Sequence, residues 1–231
     1  MIALACTLAL ASPPANADPL ADLEAEQQAL FERVAPSVVY ISTPDGIGSG
    51  FFVNDKGIVL TNRHVGGKQA TVDVVLQDGR KFVGKVLAKG TRVDVALVKI
   101  PVHGAPALGL SPTRERVGSW VGSIGHGMGG SWTFTAGMVS NIYPTKDHKA
   151  VFQTQIPLNP GNSGGPIFDR RGNVLGIATA GITSANNINF AIRMEMALEE
   201  LPGLRTSCRC LVVDAPAGIP IFVNGQMAGQ G

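Results

Sequence analysis

The amino-acid sequence predicts an all-β fold of two barrels, with a helix before them and a short helix after them. Three observations carry this. Twelve short apolar or alternating runs rich in Val, Ile, Phe and Thr fall into two sets of six, at 38–41, 50–53, 58–60, 71–76, 82–87 and 95–100, then at 117–124, 133–142, 151–155, 166–168, 174–179 and 189–192. The segments between them are turn chemistry, as in Asn54-Asp55-Lys56-Gly57, Gln77-Asp78-Gly79-Arg80 and Arg170-Arg171-Gly172-Asn173. Such residues tolerate positive φ in hairpins, so the strands are read as mostly antiparallel. No ten-residue helical pattern separates the strands, which argues against a parallel α/β sheet.

Before the first set, Asp18-Pro19 followed by Leu20, Leu23, Leu30, Phe31 and Val34 reads as a capped helix with proline at its first position and one apolar face. It is expected to end near Ala35-Pro36. After the second set, residues 194–201 read as a helix that Pro202-Gly203 stops. Residues 1–17 are expected to be a secretory signal peptide: an uncharged apolar run from Ile2 to Ala11 leads to Ala15-Asn16-Ala17, although no Lys or Arg follows Met1. The run is too short to span a bilayer. The expected domains are a double-barrel unit over 18–203, with barrels at about 36–104 and 113–193, and a C-terminal segment over 204–231.

Composition narrows the function. The 231 residues are 45% hydrophobic and 16% charged, which excludes a disordered chain, and a net charge of +2 is too small to drive nucleic-acid binding. Cys208 and Cys210 are a poor zinc pair, and none of the four histidines has the close pairing of a metal site, so neither metal nor cofactor is expected.

The most informative stretch is Asn159-Pro160-Gly161-Asn162-Ser163-Gly164-Gly165-Pro166, between two strands. A serine among glycines can be displayed on a tight turn whose backbone N–H groups point inward, offering a nucleophile and an oxyanion site together. A serine hydroxyl needs an imidazole to take its proton. His64, which follows the strand Ile58-Val59-Leu60-Thr61, is best placed to reach a cleft; His103, His126 and His148 lie in glycine-rich or polar loops and read as spectators. An imidazole in turn needs a partly buried carboxylate, and Asp94 stands at the mouth of the run 95–100, whereas Asp73 and Asp78 lie on or beside an exposed hairpin.

The ordered motifs Ser49-Gly50-Phe51-Phe52-Val53, Thr61-Asn62-Arg63-His64-Val65, Asp94-Val95-Ala96-Leu97-Val98-Lys99-Ile100, Thr135-Ala136-Gly137-Met138-Val139-Ser140 and Gly161-Asn162-Ser163-Gly164-Gly165-Pro166 resemble HtrA/Deg-type serine endopeptidases over about Leu30 to Leu201. The resemblance implies a trypsin-like double β-barrel with His64, Asp94 and Ser163 as a catalytic triad in the cleft. It further implies an oxyanion hole from the N–H groups of Gly161 and Ser163 helped by Asn162, and a specificity pocket with Pro157 at its base and Ile188, Asn189 and Phe190 in its wall. With no acid at that base, cleavage is expected after small or medium aliphatic residues. Gln155-Ile156-Pro157, Gly66-Gly67 and Arg193 depart from the family pattern.

The expected partners are polypeptide substrates. The resemblance implies a homotrimer joined through the N-terminal helix region, although that helix could equally pack on its own barrel. Leu211 to Gly225, with Gly229, is similar to the start of a PEGA-type β-repeat, which would give a periplasmic or extracellular protein a means of cell-envelope attachment; a plain Pro/Gly hairpin is the simpler alternative. The competing functional expectation is a trypsin-fold binding or scaffold protein without turnover.

Overall fold

The computed structural model describes residues 18–112, 116–142, 150–181, 188–207, 220–223 and 226–230. The expected signal peptide, His148, Cys208, Cys210 and most of the PEGA-like stretch lie outside the described residues.

Helix α1 (Pro19–Val34) begins where the sequence predicts, with the Asp18 carboxylate accepting from the N–H groups of Leu20 and Ala21 and Pro19 in the first turn. Its apolar stripe is only partly used. Leu30 and Val34 are buried, and Phe31 meets Phe134 edge to face, while Leu20 and Leu23 remain exposed.

The first barrel comprises β1 (Val38–Thr43), β2 (Gly46–Phe52), β3 (Ile58–Thr61), β4 (Thr71–Val75), β5 (Lys81–Lys89) and β6 (Ala96–Lys99), closed in the order β1-β2-β3-β6-β5-β4. The second comprises β7 (Trp120–Gly125), β8 (Thr133–Ile142), β9 (Val151–Thr154), β10 (Pro166–Phe168), β11 (Val174–Gly181) and β12 (Asn189–Arg193), closed as β10-β11-β12-β9-β8-β7. Every pairing within the two barrels is antiparallel. Closure removes the exposed edges that such short strands would otherwise present.

Several strands read as continuous apolar runs because both of their faces are buried. Val39, Ile41, Phe52, Val59, Val74 and Val98 fill the first barrel, whereas their chain neighbours Val38, Phe51 and Leu60 point out of it into a second core. That outer core also takes Ile124, Phe168 and Ile177 from the second barrel, Leu30 and Val34 from α1, and Met194 and Leu198 from α3 (Met194–Glu200). The second barrel has its own filling of Val121, Val139, Phe152, Ile156 and Ile167. Each large side chain buried this way stabilises the fold by about 1.5–3 kcal/mol, so the shared core is a strong tie between the barrels.

Two strand starts differ from the sequence expectation by more than two residues, each for a physical reason. β2 starts at Gly46, four residues before the predicted run, because Gly46, Gly48 and Gly50 dilute its apolar signal. Two of those glycines answer to packing: a Cβ on Gly48 would lie 2.6 Å from both Val65 methyls, and one on Gly50 2.7 Å from a Val59 methyl, whereas Gly46 has open space around it and φ +151°. β7 starts at Trp120, after a turn in which Val117 is exposed and Gly118 has φ +87°. Beyond α3, β13 (Pro220–Val223) and β14 (Gln226–Gln230) form an antiparallel hairpin with a register shift at Ile221/Phe222.

Candidate active site

His64 sits on a one-turn helix, α2 (Arg63–Gly66), that the sequence pattern does not announce. Val65 packs inward beneath it, and the chain leaves through Gly67 at φ +57°, a conformation that accounts for a glycine there. The His64 Nδ1 lies 2.6 Å from Asp94 Oδ2, and the His64 backbone N–H donates to Asp94 Oδ1 at 3.0 Å. Each carboxylate oxygen thereby binds His64, which fixes the imidazole in place. Burial pushes the Asp94 carboxyl up, but hydrogen bonds and charge from His64, together with Arg63, outweigh it and hold the group below the usual carboxylate range.

The loop that delivers Asp94 is held from two sides. Arg63 Nη1 donates to the carbonyls of Gly90 (2.7 Å) and Thr91 (3.1 Å), and Asn62 Nδ2 donates to the Asp94 carbonyl at 2.8 Å. From α3, Glu200 accepts from the N–H groups of Thr91 and Arg92 and pairs with Arg92 Nε at 3.0 Å. Its side chain is only 4% exposed, and the N–H of Arg92 foremost, with Thr91, draws its pKa down to about 2.

Ser163 arrives from the second barrel on the turn before β10. Its Oγ donates to the Thr179 carbonyl at 2.8 Å, and Thr179 Oγ1 lies 3.4 Å from Asp94 Oδ2. The serine, Thr179, Asp94 and His64 are therefore joined in one run of contacts that crosses between the barrels. The hydroxyl is turned to Thr179, and no hydrogen bond to His64 is present among the described residues. The turn is locked to the first barrel: Ser49 N–H donates to the Ser163 carbonyl at 2.8 Å, and Thr61 Oγ1 donates to the Ser49 carbonyl at 2.6 Å. Gly164, at φ +86°, has no room for a side chain, since a Cβ would fall 2.1 Å from that Ser49 carbonyl.

The amides of this turn divide cleanly. Those of Asn162, Gly164 and Gly165 donate to the carbonyls of Asn159, Ala178 and Asn162. Those of Gly161 and Ser163 have no acceptor among the described residues. The Pro160 carbonyl accepts from Met128 N–H at 2.8 Å, and because a trans peptide points its N–H opposite its C=O, the Gly161 N–H is turned away from Met128. Asn162 lies behind the turn, buried, with its side chain beneath Gly125 and Gly127, where a Cβ on either glycine would strike it.

Of the residues expected to shape a specificity pocket, Asn189 is buried and donates from Nδ2 to the Ile156 carbonyl at 2.8 Å, tying β12 to the segment that carries Pro157. Pro157 is exposed, and Ile188 and Phe190 are half-buried. His103 is exposed in its loop. His126 is not: it is 1% exposed and its Nδ1 lies 2.9 Å from Ser49 Oγ. Ser49, Thr179 and His126 are site neighbours to which the motif reading assigned no role; the position of His126 directly after an apolar strand was the signal available.

This sequence and fold have relatives. The profile of the trypsin-like peptidase domain matches residues 48–177. A probable periplasmic serine endoprotease, DegP-like, of Hahella chejuensis is 36% identical over 165 residues, which is 68% of this chain and 35% of the relative. A putative serine protease, HhoA, of Synechocystis is 39% identical over 163 residues, covering 66% of this chain and 41% of that one. Among solved structures, a serine endoprotease from Yersinia pestis superposes with a TM-score of 0.69 at 29% identity, over 77% of this chain and 65% of its own. The HtrA-type protease AlgW with a decapeptide gives a TM-score of 0.68 at 27% identity, over 77% of this chain and 66% of its own. The chain thus spans well under half the length of the curated relatives it matches. With the double barrel and the matched segment agreeing, this chain belongs to the trypsin-like peptidase family, as an HtrA/Deg-like member.

Proposed function

We propose that the protein is an exported serine endopeptidase that cleaves exposed or unfolded polypeptide through an acyl-enzyme. Ser163 is the nucleophile, His64 the general base and then acid, and Asp94 the residue that orients the imidazole and stabilises its protonated form. The observation that carries this reading is the run of contacts Ser163–Thr179–Asp94–His64 beside two N–H groups that have no acceptor among the described residues. In the reaction, the Ser163 hydroxyl leaves the Thr179 carbonyl by rotation about Cα–Cβ and gives its proton to His64 Nε2 as Oγ attacks the scissile carbonyl. The developing oxyanion accepts from the N–H groups of Gly161 and Ser163. His64 then protonates the departing amine, and water repeats the sequence on the ester. Contacts of this kind often tighten only when substrate is bound, so a serine turned to Thr179 in the free protein is compatible with turnover.

Export is supported by relatives whose names place them in the periplasm, with residues 1–17 as the removable leader. No helix among the described residues is long and apolar enough to cross a membrane. Assembly into a homotrimer through the α1 region agrees with the exposure of Leu20 and Leu23. Envelope attachment through the C-terminal hairpin belongs to the same proposal. One observation favours the scaffold alternative: the Ser163 proton is committed to a backbone carbonyl.

A peptide series varied at the residue before the scissile bond tests the assignment. With no acid at Pro157, a Lys or Arg there would be desolvated and unpaired, so Ala, Val or Leu should be favoured over Lys or Arg by about 100-fold in kcat/KM. Equal cleavage after Lys or Arg contradicts the pocket. No cleavage of any peptide by wild type or by Ser163→Ala leaves the scaffold reading standing.

A further inference from the structure

Behind the Ser163 turn lies a buried polar group that the triad does not use. Ser49 Oγ is within hydrogen-bond distance of three atoms: the Gly161 carbonyl at 2.7 Å, His126 Nδ1 at 2.9 Å and the His126 backbone N–H at 3.1 Å. A hydroxyl has one proton. The Gly161 carbonyl can only accept, so it takes that proton, and Nδ1 must then donate to the hydroxyl oxygen. His126 is thereby assigned as the neutral Nδ1–H tautomer, with Nε2 bare. Nε2 is buried and has no hydrogen-bond partner among the described residues. The opposite tautomer would leave both a buried carbonyl and a buried N–H unpaired, and unpaired N–H groups are the rarer and costlier kind.

The ring is clasped. Tyr40 from β1 meets it edge to face with centroids 5.2 Å apart, and Trp132 does so at 4.6 Å, with Trp132 Nε1 itself anchored on the Val38 carbonyl. Met128 and Trp132 hold left-handed backbone at φ +55° and +47°, strain that persists only where surroundings over-determine a loop. The same loop pins the Pro160 carbonyl through Met128 N–H. The two carbonyls that bracket the Gly161 N–H are therefore both held by this loop or through Ser49.

We propose that Ser49 and His126 are positioning residues for the oxyanion site: the Nδ1–H of a neutral His126 orients the Ser49 hydroxyl, whose proton holds the Gly161 carbonyl and so fixes ψ of Gly161, while Met128 N–H on the Pro160 carbonyl sets the peptide that carries the Gly161 N–H. The functional part of this inference rests on the serine-peptidase reading. The hydrogen-bond relay itself does not.

Three variants and one spectrum test it. Ser49→Ala and His126→Leu should each lower kcat by about 10- to 100-fold, less than the loss of a whole oxyanion donor, with KM within about twofold. Affinity for a peptide boronate, which presents a tetrahedral oxyanion, should fall by the same factor as kcat. His126→Asn, whose Nδ2 can stand near where Nδ1 stood, should restore most of both. Full kcat in Ser49→Ala, or His126→Asn no better than His126→Leu, overturns the proposal. Nitrogen-15 spectra of wild-type histidine rings at pH 7 should give His126 as Nδ1-protonated and neutral; an Nε2-protonated or charged ring overturns the relay. If the wild type proves inactive, the peptidase reading fails on that result alone, and the ring spectrum still decides the relay.

Discussion

At the scale of single residues, the site depends on a few atoms with no slack. Gly161 has φ +103°, and a Cβ there would meet the His126 carbonyl at 2.3 Å. Gly161→Ala should therefore tilt the peptide and cost about 100- to 1000-fold in kcat/KM, as removal of an oxyanion donor does, and it should also lower the melting temperature, because the turn must move to admit the methyl group. Near-normal kcat/KM would mean that Gly161 lends no donor. His126 makes a separate prediction through proton linkage. Burial lowers its pKa from 6.5 to about 4, with no charged partner contributing and Tyr40 as the titratable ring packed on it. A folded-state pKa below the unfolded one means that the unfolded chain binds more protons between those values. Stability is thus full above pH 6.5 and falls by about 3 kcal/mol as pH drops to 4. Urea unfolding of His126→Asn at pH 7, 5.5 and 4 should lack that slope; the same slope as wild type would contradict the burial of a neutral ring. The candidates Ser163, His64 and Asp94 are legible because the chemistry proposed for each tolerates few residue types. Ser49 and His126 are not, because their place in the site comes from contacts between residues far apart in the chain, Ser49 Oγ on the Gly161 carbonyl and His126 Nδ1 on Ser49 Oγ.

At the scale of elements, the segment before Asp94 is held by a helix from the far end of the chain. Glu200 on α3 takes the N–H groups of Thr91 and Arg92, and its depressed pKa of about 2 gives the sign of the effect. The stabilisation is present above the ordinary glutamate range near 4 and is lost as pH falls toward 2. Glu200→Gln should lower the melting temperature at pH 7 and flatten stability across that acid window, and it should raise hydrogen exchange at Thr91 and Arg92. Unchanged exchange there would show that the loop stands without its clamp. The strands were readable from apolar runs and turn chemistry. The start of β2 was not, since glycines required by Val59 and Val65 erased its alternation, and α2 was not, since one turn of helix has no period to detect.

At the scale of the whole molecule, the two barrels share a core and meet in polar contacts that cross between them, from Ser49 to Ser163 and from Thr179 to Asp94. Two closed barrels follow from counting strands; how they face each other does not, because contacts between residues as distant as 49 and 161 leave no local periodicity. That relative placement is what would turn a hydroxyl on one barrel and an imidazole on the other into a single reactive group. Labelling with a fluorophosphonate, followed by peptide mass spectrometry, measures this convergence directly. Wild type should carry the label on Ser163, and folded Ser163→Ala and His64→Ala should carry none at that position. A folded wild-type protein that takes no label, or that labels equally well without His64, would contradict the account.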